Sequence, residues 1–241
     1  FQQMKTVGRL INKILRIFGL KLILLKKIKK IKLPFKFRKN SNYSLILIGG
    51  HNGSKTIEIV KSALDYGKVC IVEPIPYLFD ELSRLYRENP KVNLVNAAIT
   101  INESEYVDFY APTREANKIF NFGDQLGSLI SDHATNVDLK FKPHIKKIKV
   151  KALKISKLIQ QIDCKNLDLL MLDTEGFDTQ LIKNFPFENL RPNKIIFEHK
   201  HSDGTNRIGN KFANVITLLD SLNYSIRIMD SENVFAKIKS L

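Results

Sequence analysis

The sequence predicts an α/β fold in which helices cover both faces of a mostly parallel sheet. The first observation is that short apolar segments alternate with helix-length segments from residue 44 onward. The second is that the apolar segments 224–229 and 234–238 are separated only by Asp230-Ser231-Glu232-Asn233. Because so short a connection forms a hairpin, one late strand must run antiparallel.

The predicted elements follow one another in a regular order. We expect strands at 44–48, 69–73, 92–96, 167–172 and 194–198. Helices are expected near 54–65, 76–88, 155–162, 176–184 and 208–222. Two further β segments are expected at 104–110 and 147–152. Residues 111–146 are polar and irregular, and so long a connection usually covers a site or is disordered.

The positive charge of the chain is concentrated at one end. The formal net charge is +15, yet residues 1–39 hold 13 of the 39 Lys and Arg and no acid, so the rest is nearly neutral. This distribution argues against a nucleic-acid-binding body. We therefore expect a basic arm over residues 1–40 and one domain over 41–241. Residues 1–3 resemble the remnant of a cleaved tag, with Met4 as the expected native start.

The arm has apolar residues at nearly helical spacing with Lys and Arg between them. Such an amphipathic helix suits an anionic membrane surface, and the alternatives are docking on the body or on a partner, or binding RNA. Its longest apolar run, Leu22 to Leu25, is far below the ~20 residues of a transmembrane helix. Two cysteines, Cys70 and Cys164, favour a reducing compartment. We expect a cytoplasmic protein, with residues 5–33 in peripheral contact with the inner face of a membrane.

Polar residues follow three of the predicted strands. A glycine turn follows the first, Glu73-Pro74 follows the second, and Asp173, Glu175 and Asp178 follow the fourth. Parallel strands end at one edge of a sheet, where open α/β folds bind ligands. An acid in the place of Glu73 commonly accepts hydrogen bonds from ribose. The expected cofactor site comprises Gly49, Gly50, His51, Asn52, Gly53, Glu73, Pro74 and Asp173.

The turn lacks the spacing G-x-G-x-x-G, which counts against a dinucleotide. A ribose-binding acid also fits S-adenosylmethionine, and the antiparallel hairpin favours a methyltransferase sheet.

The candidate catalytic residues are Asp173, Glu175, Glu198 and His199, at adjacent strand ends. His199 is the best base by intrinsic pKa, with a structural hydrogen bond as the alternative. For Glu175, the alternative to a catalytic role is capping of the N-terminus of the helix that begins near Gly176. These four residues also form a possible Mg²⁺ site, although we expect no metal.

Three other histidines, His133, His144 and His201, are expected in loops at the surface, although His201 is close enough to His199 to share the site. Phe120, Phe122 and residues 123–128 form either a lid over the acceptor or an ordinary loop.

Five segments together resemble the FkbM family of S-adenosylmethionine-dependent methyltransferases: LILIGGHNGS (45–54), IVEPIP (71–76), VNAAI (95–99), LLMLDTEGFD (169–178) and IIFEH (195–199). The resemblance implies a class I methyltransferase fold with S-adenosylmethionine as cofactor. It implies methyl transfer to a hydroxyl, often of a sugar or another natural product. Gly49, Gly50 and Gly53 would form the cofactor turn, Glu73 would bind ribose, and Asp173 would face the methyl group.

The sequence departs from the family at two positions, since the family usually has an acid where Leu47 stands and Asn where His51 stands. The missing acid at Leu47 leaves open a second function, a binding module without catalysis. The basic arm leaves open a third, an RNA methyltransferase that uses this arm. The favoured prediction is an O-methyltransferase of glycan modification. Its partner is a small-molecule or glycan acceptor rather than nucleic acid.

Overall fold

The structure is a computed structural model that describes residues 35–204 and 209–239. The predicted membrane-binding segment, residues 5–33, lies outside the described residues. In the described ranges the main sheet contains β1 (Tyr43–Ile48), β2 (Lys68–Val72), β3 (Val92–Val95), β7 (Leu167–Leu172), β8 (Lys194–Glu198), β9 (Tyr224–Ile228) and β10 (Asn233–Ile238). A smaller sheet contains β4 (Ala98–Thr100), β5 (Tyr106–Pro112) and β6 (Ile145–Lys154).

Five of the six α-helices of the described ranges lie in the predicted helical segments, whereas the sixth, His133–Val137, lies in the connection 111–146 that was expected to be irregular. They are α1 (Ile57–Leu64), α2 (Pro76–Tyr86), α3 (His133–Val137), α4 (Ile155–Gln161), α5 (Asp178–Lys183) and α6 (Asn210–Ser221). Short 3₁₀ helices span Arg114–Lys118, Gly123–Gln125 and Leu139–His144. None of the helices in the described ranges has the length and hydrophobicity needed to cross a membrane.

The seven described strands of the main sheet follow the order β3-β2-β1-β7-β8-β10-β9. All neighbouring pairs are parallel except those of β10, which runs antiparallel to β8 and to β9. The predicted α/β architecture with a late antiparallel strand is therefore confirmed. The central strand β1 is buried at every residue. The apolar run Leu45 to Ile48 within it reflects helices on both faces, since a sheet with one wet face would alternate.

The smaller sheet has the order β4-β6-β5, in which β5 and β6 form a long antiparallel pair. Phe109 of β5 and Val150 of β6 pack with Ile75 and Leu78 at the start of α2. These buried contacts place the smaller sheet beside the carboxyl end of β2. Strand β4 was not predicted, because three residues are too few to show a periodic pattern.

Residues 113–144 connect β5 to β6 and are called the covering segment here. Ala116, Leu126, Ala134 and Phe141 give this segment a small hydrophobic core of its own. The rings of Phe120 and Phe122 stack 5.4 Å apart, and both lie against Phe141. The two aromatic residues therefore contribute to the packing of the covering segment.

Candidate active site

An open cleft lies at the carboxyl ends of β1, β2 and β7. Its lining includes Gly49, Glu73 and Asp173, one residue after each of these strands. The parallel register explains this convergence, because Ile48 is paired with Val72 on one side and with Leu172 on the other. The three predicted strand ends are thus brought to one place.

The glycine turn after β1 permits a close approach of two backbone segments. Gly49 has a φ of +92°, and a Cβ atom there would lie 1.9 Å from the carbonyl oxygen of Asp173. The N–H groups of Gly49 and Gly50 donate to the carbonyl of Val72 at 3.0 and 2.9 Å. These N–H groups are thus engaged within the sheet and do not face the cleft as free donors. The glycines therefore shape the cleft by leaving room.

Glu73 is held by backbone donors. Its carboxylate accepts hydrogen bonds from the N–H groups of His51 and Ile75, each at 2.8 Å. Burial, together with the smaller effect of the Asp173 charge, raises the pKa of Glu73 to about 7 against the opposing effect of the two N–H donors. Each carboxylate oxygen has a second lone pair that can accept a hydrogen bond from a hydroxyl group. Glu73 is thus fixed in position with acceptor capacity left for a ligand in the cleft.

Asp173 presents a carboxylate to solvent in the same cleft. The surrounding protein raises the pKa of Asp173 to about 6, chiefly by desolvation and next by the charge of Asp178, while Lys55 and His51 lower it. At neutral pH this side chain is mostly ionised and accessible. These properties suit a group that accepts a proton from a ligand.

Asp178 has a structural position behind the cleft. It is 1% exposed, and its carboxylate accepts from the backbone N–H of Thr174 at 2.9 Å and of Glu198 at 2.8 Å. The hydroxyl of Thr174 also donates to it. Asp178 therefore connects the segment after β7 to the end of β8.

Two histidines that we expected at the surface are buried beside Glu175. His133 is 5% exposed and His201 is 8% exposed. His133 Nε2 lies 2.8 Å from Glu175 Oε2, and His201 Nε2 lies 3.9 Å from the same oxygen and 3.5 Å from Glu198 Oε1. We call His133, Glu175, Glu198 and His201 the histidine–glutamate cluster. The surface prediction was wrong because the covering segment folds back and brings His133 to the sheet.

The cluster has unusual protonation. Burial lowers the pKa values of His133 and His201 to about 4. Burial and neighbouring acids raise the pKa of Glu175 well above its usual range and that of Glu198 to about 10. Both imidazoles are therefore neutral at physiological pH.

The remaining predicted site residues are placed as follows. His199 does not line the cleft: its ring lies 5.4 Å from that of Phe212, and Nε2 is 3.4 Å from the carbonyl of Asp230.

Within the described ranges, the residues that could jointly hold a metal are His133, Glu175 and His201. The alternative Mg²⁺ set of Asp173, Glu175, Glu198 and His199 is therefore not assembled.

The predicted cofactor residues divide into two groups. Gly49, Gly50, His51, Glu73, Pro74 and Asp173 line the cleft, whereas Asn52 and Gly53 lie behind it. Asn52 accepts from the N–H of Ser54 at 3.1 Å and stabilises the turn. Gly53 packs against Leu82, and a Cβ there would be 2.9 Å from that side chain.

The covering segment meets the glycine turn across the cleft. His51 Nε2 lies 3.4 Å from Asp124 Oδ1. Lys55 donates a hydrogen bond to Gln125, and both Asp124 and Gln125 line the cleft. The position of residues 123–128 is compatible with a lid over the acceptor, and this role stays a prediction.

The sheet order, with its late antiparallel strand, is that of the class I methyltransferase fold. The model of the FkbM methyltransferase domain matches residues 48–226, so the chain belongs to the FkbM methyltransferase family and its cofactor is S-adenosylmethionine. Leu47, where the family usually has an acid, is fully buried between its strand partners Ile71 and Met171.

Several solved structures are similar to the chain. Fibrillarin from Aeropyrum pernix, in complex with natively bound S-adenosyl-L-methionine, is 12% identical with a TM-score of 0.43, covering 86% of this chain and 69% of its own. An O-methyltransferase from Bacillus cereus in complex with SAH is 13% identical with a TM-score of 0.43, covering 82% and 74%. A precorrin-6y C5,15-methyltransferase from Geobacter metallireducens is 11% identical with a TM-score of 0.42, covering 82% and 81%. No curated protein matches the chain significantly.

Proposed function

We propose that this methyltransferase transfers the methyl group of S-adenosylmethionine to a hydroxyl of a sugar, a glycolipid or a related natural product. The observation that carries the proposal is the position of Glu73 and Asp173 in one cleft. Glu73 has free lone pairs for ribose, and Asp173 has an accessible carboxylate for the acceptor. One cleft thus offers a group for each of the two substrates.

The cofactor occupies the β1–β2 side of the cleft in this proposal. Glu73 accepts hydrogen bonds from the two ribose hydroxyls. The apolar residues Ala97, Ala98 and Ile99 are also part of the cleft lining. Such a surface suits the flat adenine ring, which gains from apolar contact on its faces. The glycine turn and Asp173 would then border the methionine part, which would supply the methyl group.

Asp173 serves as the base in the proposed reaction. The acceptor oxygen attacks the methyl carbon in line with the carbon–sulfur bond, which breaks as the new carbon–oxygen bond forms. The hydroxyl proton passes to the Asp173 carboxylate, and S-adenosylhomocysteine leaves as the neutral product. Positioning of the two reactants supplies much of the rate in such a transfer. Glu175 is a second carboxyl residue of the cleft lining.

The polarity of the acceptor side supports a polyhydroxylated substrate. Asp173 is a hydrogen-bond acceptor, and Glu175, Lys55 and Gln125 are further polar residues of the lining. Sugars present several hydroxyls that donate to such groups. In contrast, an RNA acceptor would require a basic surface around the cleft, and the body of the chain is nearly neutral.

The decisive experiment measures cofactor binding and methyl transfer separately. Calorimetry with S-adenosylhomocysteine tests the cleft, and methyl-labelled S-adenosylmethionine tests transfer to a panel of glycans and glycolipids. We expect binding, and a labelled product with the alkali stability of a methyl ether. Binding without transfer to any acceptor, alongside equal behaviour of wild type and Asp173→Asn, would support the non-catalytic module. A labelled nitrogen or carbon would reject the hydroxyl acceptor.

The basic arm supports a lipid-linked acceptor. Lys21, Lys26, Lys27, Lys29 and Lys30 fall among apolar residues, and each base near an anionic bilayer contributes about 1 kcal/mol. We expect the full chain to sediment with anionic liposomes at low salt, and removal of residues 1–33 to release it without loss of cofactor binding. Failure of the full chain to bind would exclude the membrane contact.

A further inference from the structure

We propose that His133, Glu175 and His201 form a binding site for a divalent transition-metal ion, most suitably Zn²⁺. The site goes beyond the methyl-transfer reaction, because its residues would bind the ion whether or not cofactor and acceptor are present. It also differs from the Mg²⁺ set expected from the strand ends, since it includes two histidines and neither Asp173 nor His199.

The geometry of the three side chains is close to that of a metal site. One ligand atom from each residue can be chosen so that all lie within 4.8 Å of one another. Zinc ligands at about 2.0–2.1 Å in a tetrahedron are separated by roughly 3.4 Å. The distances from Glu175 Oε2 to His133 Nε2, 2.8 Å, and to His201 Nε2, 3.9 Å, bracket this value. The separation of the two histidines lies within 4.8 Å, so the ligand atoms would have to close by up to about 1.4 Å to complete the arrangement.

The ligand types of the cluster suit a transition metal. His133 and His201 offer imidazole nitrogens, and Glu175 offers a carboxyl oxygen. Two imidazoles and one carboxylate favour Zn²⁺, Co²⁺, Ni²⁺ or Fe²⁺ over Mg²⁺ and Ca²⁺. The ligand set therefore defines the class of ion.

Glu198 gives an independent reason to place a cation here. It is 9% exposed, and its Oε2 atom is buried without a hydrogen-bond partner in the described part of the chain. Its other oxygen is 3.5 Å from His201. A buried carboxyl oxygen without a partner is costly, and a cation beside it would remove that cost. Glu198 is thus available as a fourth ligand or as a charge partner of the ion.

The three ligands come from separate parts of the fold. His133 begins α3 in the covering segment, Glu175 follows β7, and His201 follows β8. An ion bound to all three would connect the covering segment to the main sheet. Because Glu175 also lines the cleft, the ion would lie at the cleft wall.

The test uses the purified full chain after dialysis against a chelator, without S-adenosylmethionine. We expect Zn²⁺ and Co²⁺ to bind with a stoichiometry of about one per chain, as at other closed protein sites. Co²⁺ should give visible ligand-field absorption, and Zn²⁺ should raise the Tm. Mg²⁺ should have neither effect.

His133→Gln and His201→Gln should each weaken Zn²⁺ binding by more than about 100-fold, because loss of a direct ligand exceeds the 10- to 100-fold effect of its outer partners. His144→Gln, which changes a histidine outside the cluster, is the matched control and should bind as wild type does. Absence of Co²⁺ absorption and of a Tm shift in the wild type would overturn the site, as would equal losses in the His144 variant. The Co²⁺ absorption of the wild-type protein is sufficient by itself to test the metal site. The test therefore does not depend on whether each variant folds. Binding of S-adenosylhomocysteine to the chelated protein tests the proposed function separately.

Discussion

The Cα atom of Gly49 faces the backbone carbonyl of Asp173 so closely that a Cβ would lie 1.9 Å from the carbonyl oxygen. This contact joins the ends of β1 and β7, and the N–H of Asp173 donates to the carbonyl of Ile48 at 2.9 Å. The residue proposed as base is therefore held by the turn that shapes the cofactor side. Changes in the turn should alter the position of Asp173.

Gly49→Ala should destabilise the protein more than Gly53→Ala. Both glycines have positive φ, +92° and +79°, which costs an alanine about 1–2 kcal/mol. At Gly53 the nearest atom is a movable side-chain carbon of Leu82, whereas at Gly49 it is backbone. Gly49→Ala should therefore lose roughly 1–3 kcal/mol more. Urea unfolding of both variants measures the difference, and equal losses would contradict the contact.

Asp178→Ala should lower the stability of the protein. The substitution leaves the buried N–H groups of Thr174 and Glu198 without their acceptor, and each such group costs about 1–3 kcal/mol. The free energy of unfolding from urea titration should fall accordingly. Asp65→Asn, at an exposed position, is the control and should change little. Wild-type stability of Asp178→Ala would refute the structural role.

Glu73→Gln should weaken binding of S-adenosylhomocysteine. The substitution keeps one oxygen acceptor but removes the charge that strengthens the ribose hydrogen bonds, each worth roughly 1.5–3 kcal/mol. We expect a loss of about 10- to 100-fold in affinity, measured by calorimetry. Glu105→Gln changes an exposed glutamate and should bind normally. Equal affinities of wild type and Glu73→Gln would remove Glu73 from the ribose site.

Binding of S-adenosylhomocysteine should release protons near neutral pH. The free protein has a Glu73 pKa of about 7, so up to roughly half of this group is protonated at pH 7. Ribose hydroxyls donate to the carboxylate and lower its pKa, so binding expels the proton and affinity rises with pH through 7. Calorimetry in buffers of different ionisation enthalpy measures the release. It should vanish above pH 9 and in Glu73→Gln, and persistence in that variant would assign the proton to another group.

The fold was predictable because most of it depends on local patterns. Each strand of the main sheet within the described ranges coincides with a predicted apolar segment, and the short hairpin connection identified the antiparallel strand. Strand β4 was missed because its position depends on pairing with β6, some 50 residues later, and three residues show no period.

The site was predictable only where its residues follow strands directly. Gly49, Glu73 and Asp173 meet because parallel register brings strand ends together. The position of His133 depends instead on how the covering segment packs, and no local pattern marks it. Burial of His133 and His201 could have been inferred only from knowing which long-range contacts surround them.

Asp173→Asn should reduce turnover far more than cofactor affinity. The amide has nearly the same shape but cannot accept the hydroxyl proton, and loss of a general base costs roughly 100- to 10,000-fold in rate. S-adenosylhomocysteine carries no sulfonium charge, so its affinity should stay within a few-fold of wild type.

The pH profile provides a second test of Asp173. Because the pKa of Asp173 is raised to about 6, kcat/KM for the acceptor should rise with pH through about 6 and level off above it. The residual activity of Asp173→Asn should lack this rise. His199→Gln is the comparison, since its ring packs against Phe212 outside the cleft lining and its turnover should fall much less. If the rise persists in Asp173→Asn and disappears in His199→Gln, the base is His199 and the acceptor approaches from the other side of the sheet edge.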